Sequence, residues 1–520
     1  MGTLFLGMIL SLQILAEGYN VISNTYKYML LAGLVIALLS PKAALPLLLF
    51  SAGYIDTLKR FLIFAGKGYV GVFDLTFILA FAPGVALMAY AGCVIRMFIF
   101  GERPPKGIYI FFIASTVFMG GMAASIIVTQ GTGIQAMRGI ANGAGFGALI
   151  FVIPYTLRSL NDFMKFLKIV VVMHIPIACY AFYQSIWGFL PFEIAYLEAG
   201  LSSEQRILMG EDFRVFSTLN SSQNLGKVMG ILSGLVLVSF RTGKIIDNSL
   251  GWRLPLAIFF FIAGWTSGSR LGMVMTFMIP GFWWLILRPR FAVTTYLAGF
   301  LALLLVILNA KAIEESGVLG EWERGLWTVT GYLGFSQTDN MKRYRTIQLT
   351  TLTARLRSYQ TLTNPSVWTP FGLKIAKKQQ ILKSVKVHDI ITSYLLRIGY
   401  VPLFLLIVLS ATIFIRCHKA VWAMPENGIH RRISAFGIAF ALTILAGGMT
   451  STNNMETFPV NYYFHLFIGF GGLAYLAYLN RPKEEVEEEL SEKPSSAFDR
   501  LPPRNWRPPH DRQNPIPVAR

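Results

Sequence analysis

Charge is scarce in this chain. Charged residues occupy 14% of the 520 positions and hydrophobic residues 54%, whereas a soluble domain carries roughly 25% charged residues. A water-soluble core cannot absorb that much apolar surface. Cysteine is also rare, and the three present (Cys93, Cys179, Cys417) lie in or beside apolar segments, which argues against a disulfide framework or a cysteine metal site. There is no HExxH, paired CxxC, Walker loop, GxSxG, or GxGxxG in a βαβ context. Metalloproteases, ATPases, serine hydrolases and dinucleotide enzymes thus lose their usual sequence support, and a metal-free, nucleotide-free reaction is expected. No cationic region or small-residue cleavage site accompanies Leu4 to Leu15, so that stretch reads as a first span or re-entrant segment rather than a removed signal.

What the chain has in quantity is long uncharged runs, such as Leu30 to Ser40, Leu75 to Ile95, Ile108 to Val128 and Phe291 to Leu308. A bilayer asks this of a spanning helix of about 20 residues. Barrel strands would alternate apolar and polar positions over about 10 residues, and these blocks are apolar on every side. The expected fold class is all-α: a polytopic transmembrane bundle of about 12–14 spans. The apolar blocks fall near 3–16, 26–40, 43–55, 70–98, 107–128, 138–156, 166–187, 225–240, 254–268, 271–287, 291–309, 390–415, 433–449 and 459–479. Every second loop is basic: Arg103 and Lys106; Arg158, Lys165 and Lys168; Arg241, Lys244 and Arg253; Arg288 and Arg290; Arg416, Lys419, Arg431 and Arg432. Assigned to the cytoplasm, these loops put both termini inside and segments 188–224, 268–271, 310–389 and 450–458 outside. Lys59, Arg60 and Lys67 are exceptions on the outer side. The net charge of +19 then reflects cytoplasmic loops and a basic outer site, not a nucleic-acid surface.

Four divisions follow: a bundle over 1–309, a large outer loop over 310–389, further spans over 390–480, and a tail over 481–520. The tail is Glu-rich and then Pro/Arg-rich and is expected to be disordered and cytoplasmic. A stretch as long as 310–389 between two spans is where chemistry is expected.

Four outward features carry polar groups. In the first, Arg214 to Asn220 with Asn224 leads directly into a span. In the second, Arg270 stands in a turn squeezed between two spans, where an arginine is costly unless it has a partner or a task. The third holds Arg355, Arg357 and Tyr359, with Leu352, Leu356 and Tyr359 spaced to cover one helical side; Arg357 reads as a solvated face. In the fourth, His388 and Asp389 stand where a span begins, a position suited to a group that takes a proton near neutral pH.

The stretches RVFSTLNSSQNLG (214–226), TSGSRLG (266–272), ARLRSYQTLTNPSVWTPFG (354–372) and HDIITSYLLRIGYVPLFLL (388–406) resemble, in order and spacing, the O-antigen ligase and polymerase family. The last is the most specific, with His388, Leu395 and Gly399 fitting its pattern and Asp389 standing where the family usually has Asn. Gly372 is the one glycine kept of the family's Gly-x-Gly. The resemblance covers roughly 200–480. It implies a bacterial inner-membrane glycosyltransferase that moves a glycan from undecaprenyl diphosphate to an acceptor glycan or lipid A-core on the periplasmic face, with no cofactor. The implied roles are a diphosphate clamp by Arg214, Arg270 and Arg355, a general base in His388, and sugar contacts by Asn224, Tyr359 and Asp389. Ligation, repeat-unit polymerisation and protein O-glycosylation all remain open. A lipid-linked oligosaccharide flippase is the competing class, but no internal repeat of the kind transporters carry is present.

Overall fold

The computed structural model describes residues 19–67, 70–131, 133–158, 160–199, 208–209, 212–242, 250–309, 358–374, 387, 389–424, 429–449 and 458–480. Contacts divide the chain into two units, Met1–Tyr478 and Leu479–Arg520; beyond Asn480 the second lies outside the described residues.

Among its described residues the first unit's regular structure is helical apart from one pair of two-residue strands, β1 (Leu208–Met209) with β2 (Asp212–Phe213). Its helices are α1 (Tyr19–Leu39), α2 (Pro41–Ala65), α3 (Val72–Phe98), α4 (Ile108–Gln130), α5 (Ile134–Ala144), α6 (Leu149–Thr156), α7 (Leu160–Trp187), α8 (Pro191–Glu198), α9 (Ser222–Thr242), α10 (Leu250–Thr266), α11 (Arg270–Ile286), α12 (Pro289–Leu308), α13 (Ile390–Ile398), α14 (Tyr400–Ala423), α15 (Ile429–Gly448) and α16 (Val460–Leu479). Proline opens α2, α8 and α12, where its missing N–H costs nothing.

Among the described residues, seven helical stretches are long and apolar enough to cross a membrane: Tyr19–Leu39, Asp74–Phe98, Ile108–Thr129, Gly139–Thr156, Asp162–Trp187, Tyr400–Ala423 and Arg431–Gly448. Ser222–Val238, Arg253–Thr266 and Leu271–Ile286 are shorter apolar helices. The surface agrees with that reading: Phe404 is 65% exposed and Leu305 61%, while Ser51, His174 and Thr443 are buried inside. Large apolar side chains covering the outside of a bundle mark a chain solvated by lipid.

Side-chain bonds define two ends. At one, Arg96 Nη2 donates to Leu39 O, Lys42 meets Asp162 at 2.8 Å, Trp283 Nε1 donates to Arg432 O, and Trp422 Nε1 donates to Ile286 O. These contacts join the ends of α1, α3, α11 and α14 to the starts of α2, α7 and α15. At the other end, Tyr19 Oη donates to Asp74 and Asn224 Nδ2 donates to Phe458 O. Among the described residues, up-and-down alternation puts Arg103, Lys106, Arg158, Arg288 and Arg290 at the first end and the 267–269 turn at the second.

Two expected blocks are subdivided. The run 138–156 is α5, a tight turn over Gly145–Ala148, and α6. The run 390–415 breaks at Gly399, whose φ of +79° ends α13 and starts α14.

Candidate functional site

Site construction begins with a charge that the apolar runs did not account for. Arg60, near the end of α2, is fully buried. Its Nη1 donates to Glu193 Oε1 at 3.2 Å and to Ser217 O at 2.6 Å, its Nη2 donates to Leu219 O, and its guanidinium carbon lies 4.3 Å from the Phe216 ring centre. Glu193, on α8, is equally buried. Burial pushes its carboxyl above the ordinary value, while Arg60 pulls it back. Gln184, on α7, donates to Glu193 at 2.6 Å and accepts from the Phe216 and Ser217 N–H groups. Ser217 Oγ donates to Ile177 O, and Thr218 Oγ1 to Gly53 O. Ser217 holds φ at +53°, an uncommon conformation for a residue with a side chain. Residues 216–219 thus form a fixed platform, with Arg214 before it and Asn220 after it.

Beyond the platform, α9 packs on α11 through small residues. A Cβ at Gly230 would lie 2.0 Å from Gly272 O, and one at Gly226 would lie 2.2 Å from Ser269 Cβ. Backbones can approach this closely only where the side chain is absent. The packing carries the 267–269 turn against the start of α9. There Arg214, half-buried, donates from Nη2 to Gly268 O at 2.8 Å. Arg270 follows as the first residue of α11. Asn224 is fully buried: its Nδ2 donates to Asn220 Oδ1 at 2.7 Å and to Phe458 O at 3.1 Å, while its Oδ1 has no partner.

A third element comes from the long connection between α12 and α13. Residues 358–374 form an arm of short 3₁₀ turns laid on the bundle. Tyr359 Oη donates to Met449 O at 2.5 Å, beyond the end of α15, which packs on α11 and α9. Asp389 caps α13: its Oδ1 accepts from Thr392 N at 2.7 Å, and its Oδ2 accepts from Ser358 Oγ. At the arm's far end, Leu373 N donates to Leu396 O and Tyr400 N to Thr369 O. Gly372 and Gly399, with φ of +89° and +79°, cross so tightly that a Cβ on Gly399 would lie 2.3 Å from Gly372 N. This crossing gives a physical reason for two of the glycines in the resembling stretches.

Of the site residues read from the sequence, Arg214 and the backbone of Arg270 meet at the 267–269 turn, while Asn224 is held by Asn220 and Phe458. Tyr359, on the arm, and Asp389, capping α13, are tied through Ser358, which donates to Asp389. Arg355, Arg357 and His388 lie outside the described residues, as does the side chain of Arg270. Arg60, Glu193, Gln184 and Ser358 were not foreseen. Arg60 and Glu193 are 133 positions apart, and only the misfit of Arg60 with the alternation of basic loops pointed to it. The chain matches no protein-family model and no curated protein sequence.

Proposed function

We propose that this chain is a multi-pass bacterial inner-membrane glycosyltransferase of the O-antigen ligase type, moving a glycan from undecaprenyl diphosphate to an acceptor sugar on the periplasmic face. The observation that carries the reading is the turn where Arg214 sits on Gly268 O, two residues before Arg270. That turn lies at the end of the bundle from which the 310–389 connection leaves and to which it returns. The basic loops gather at the other end, which by the positive-inside rule is cytoplasmic. Among the described residues seven helices are long and apolar enough to cross a membrane and three apolar helices are shorter; segment 3–16 lies outside the described residues.

The chemistry follows from charge. A departing diphosphate gathers negative charge at the membrane interface, and a guanidinium matches phosphate oxygens with a planar fork that never loses its proton. Arg214, Arg270 and Arg355 stabilise that group as it leaves. His388 takes the proton of the acceptor hydroxyl as its oxygen attacks the anomeric carbon, inverting it in a single displacement. Asp389, with both oxygens engaged by Ser358 and Thr392, holds the start of α13 and so the backbone beside His388. Asn224, whose Oδ1 is buried without a partner, and Tyr359 are the further groups proposed to contact sugar hydroxyls.

The test is transfer in vitro from a purified undecaprenyl-diphosphate glycan with chelator present. His388→Ala should lower transfer about 10²- to 10⁴-fold and leave donor binding near normal. Arg270→Lys and Arg355→Lys should weaken both binding and transfer, with Arg357→Ala as the control. Full activity of His388→Ala, or dependence on an added divalent metal, overturns the mechanism. A deletion strain separates the outcomes for the pathway: unattached polymer marks a ligase, capped but unpolymerised chains a polymerase, and donor trapped inside a flippase.

A further inference from the structure

Gln184, in the last turn of α7, is buried, and a buried carboxamide is costly unless both its ends are bonded. Its Oε1 accepts from two successive backbone N–H groups, Phe216 at 3.2 Å and Ser217 at 2.6 Å, and its Nε2 donates to Glu193. The carbonyls of the same segment are satisfied as fully: Phe216 O accepts from Leu219 N, Ser217 O and Leu219 O from Arg60, and Thr218 O from Thr57 Oγ1 at 3.3 Å. A connection that only joined α8 to α9 has no need of such a set. What needs it is Ser217, whose φ of +53° a residue with a side chain keeps only where its surroundings over-determine it. The effect reaches Arg214. The N–H of Phe216 belongs to the planar peptide that follows Val215, so Gln184 fixes that unit, and Val215 alone, its side chain buried, separates it from Arg214. Opposite, the Arg214 fork rests on Gly268 O, at a φ of +65° where a Cβ would come within 2.8 Å of Nη2. Arg214 is thus held by its backbone on one side and by its guanidinium on the other.

We infer that Gln184 is a positioning residue for the donor site: it holds the 216 and 217 N–H groups and through them sets where the Arg214 guanidinium meets the departing diphosphate. The inference rests on the reading of Arg214 as part of the diphosphate clamp. A planar fork matches phosphate oxygens only in the right orientation, and a misplacement of about 1 Å by a change remote from the chemistry can lower a rate about 10²-fold. The three bonds of Gln184 all go to protein groups, so it acts through Arg214 and not on the donor. A carboxamide suits the task because one rigid group presents an acceptor to the paired N–H groups and a donor to the Glu193 carboxylate, whose charge Arg60 balances. Leucine in its place loses both functions. Glutamate keeps the acceptor and loses the donor.

The experiment is a double-mutant cycle on the full chain in detergent, reading both the binding of a purified undecaprenyl-diphosphate glycan and the hydrogen exchange of peptides over 214–219. Gln184→Leu should weaken binding about 10-fold, the effect of leaving buried N–H groups without an acceptor. In an Arg214→Ala background the same substitution should change binding less than about 2-fold. Equal losses in the two backgrounds, or no loss in either, overturn the inference. Gln184→Glu is the conservative variant, and it decides the matter alone should Gln184→Leu fail to fold. Its second oxygen faces Glu193, with Asp56, Lys59 and Arg60 from α2, Tyr180 from α7 and Tyr196 from α8 as the other ionisable groups around the pair. At acid pH the two carboxylates share a proton, the hydrogen bond persists and binding stays near that of the wild type; as pH rises the proton leaves, like charges repel and binding falls. A pH dependence of binding no different from that of the wild type overturns the role. A wild type that binds no donor refutes the proposed function instead, and exchange then decides whether Gln184 holds the segment: the 214–219 peptides should be protected in the wild type and open in Gln184→Leu with α2 and α7 still protected, and unchanged exchange overturns it.

Discussion

Replacing Arg60 by Met would leave Glu193 buried without its counter-ion and would strip Ser217 O and Leu219 O of their donor. Breaking one partner of a buried pair costs about 3–5 kcal/mol, whereas replacing both with apolar residues is often close to neutral. Arg60→Met should therefore lower the thermal midpoint in detergent sharply, and Arg60→Met with Glu193→Leu should recover much of it; equal loss in both would mean that the pair does not act as a unit. Asp389 can be separated from a substrate contact in the same way. Asp389→Ala removes the α13 cap, worth about 1 kcal/mol, and leaves Ser358 Oγ without its acceptor, while Asp389→Asn keeps an acceptor for Thr392 N. Normal stability with lost transfer in Asp389→Asn would show that the carboxylate touches substrate as well. At this scale the sequence singled out Arg214, Asn224 and Tyr359 by residue type, but it could not foresee Arg60 and Glu193. A buried pair has no local signature when its members are far apart in the chain.

Helices were more legible than their breaks. The block read at 43–55 continues to Ala65 as α2 because Asp56 and Lys59 pair at 3.3 Å and Arg60 is satisfied inside the bundle, so charges that interrupt an apolar run do not interrupt the helix. The break in 390–415 depends on a contact between Gly399 and Gly372, and no window of hydropathy reports a contact. Packing gives the prediction here. Gly230 faces the Gly272 backbone, so Gly230→Leu must push α9 and α11 apart and carry the 267–269 turn off Arg214. The expected result is loss of donor binding together with a destabilisation of about 1–3 kcal/mol, the usual cost of overpacking; unchanged donor affinity would sever the helix packing from the site.

For the molecule as a whole, the alternation of basic loops along the sequence predicts one face for 310–389 and the other for the basic loops, with Lys59, Arg60 and Lys67 the exceptions. Reporter fusions placed after residues within 310–389 should therefore give the signal of the outer compartment, and fusions after Arg432 that of the cytoplasm. A cytoplasmic signal from 310–389 would remove the proposed site from the face where the donor is presented. That the chain is built of apolar helices was readable, because lipid demands the same thing of every span, an apolar surface of fixed length; of the 12–14 spans expected, seven helices among the described residues have the length and hydropathy of a crossing. How the polar segments between them fold together was not readable, since that depends on pairings such as Asn220 and Asn224 with Phe458, far apart along the chain.

The arm over 358–374 has a consequence for how the chain could be cut or lengthened. It is fastened to α13 at both ends, by Ser358 on Asp389 and by the hydrogen bonds that flank the Gly372–Gly399 crossing. The connection from α12 to α13 is therefore two closures in series, 310–357 and 375–386, and not a single span of 310–389. Residues added on one side of the arm therefore leave the ends of the other side where they were. A protease cut in one part would convert the chain into two fragments that remain associated, with the arm still seated, as a split protein whose halves need no covalent link.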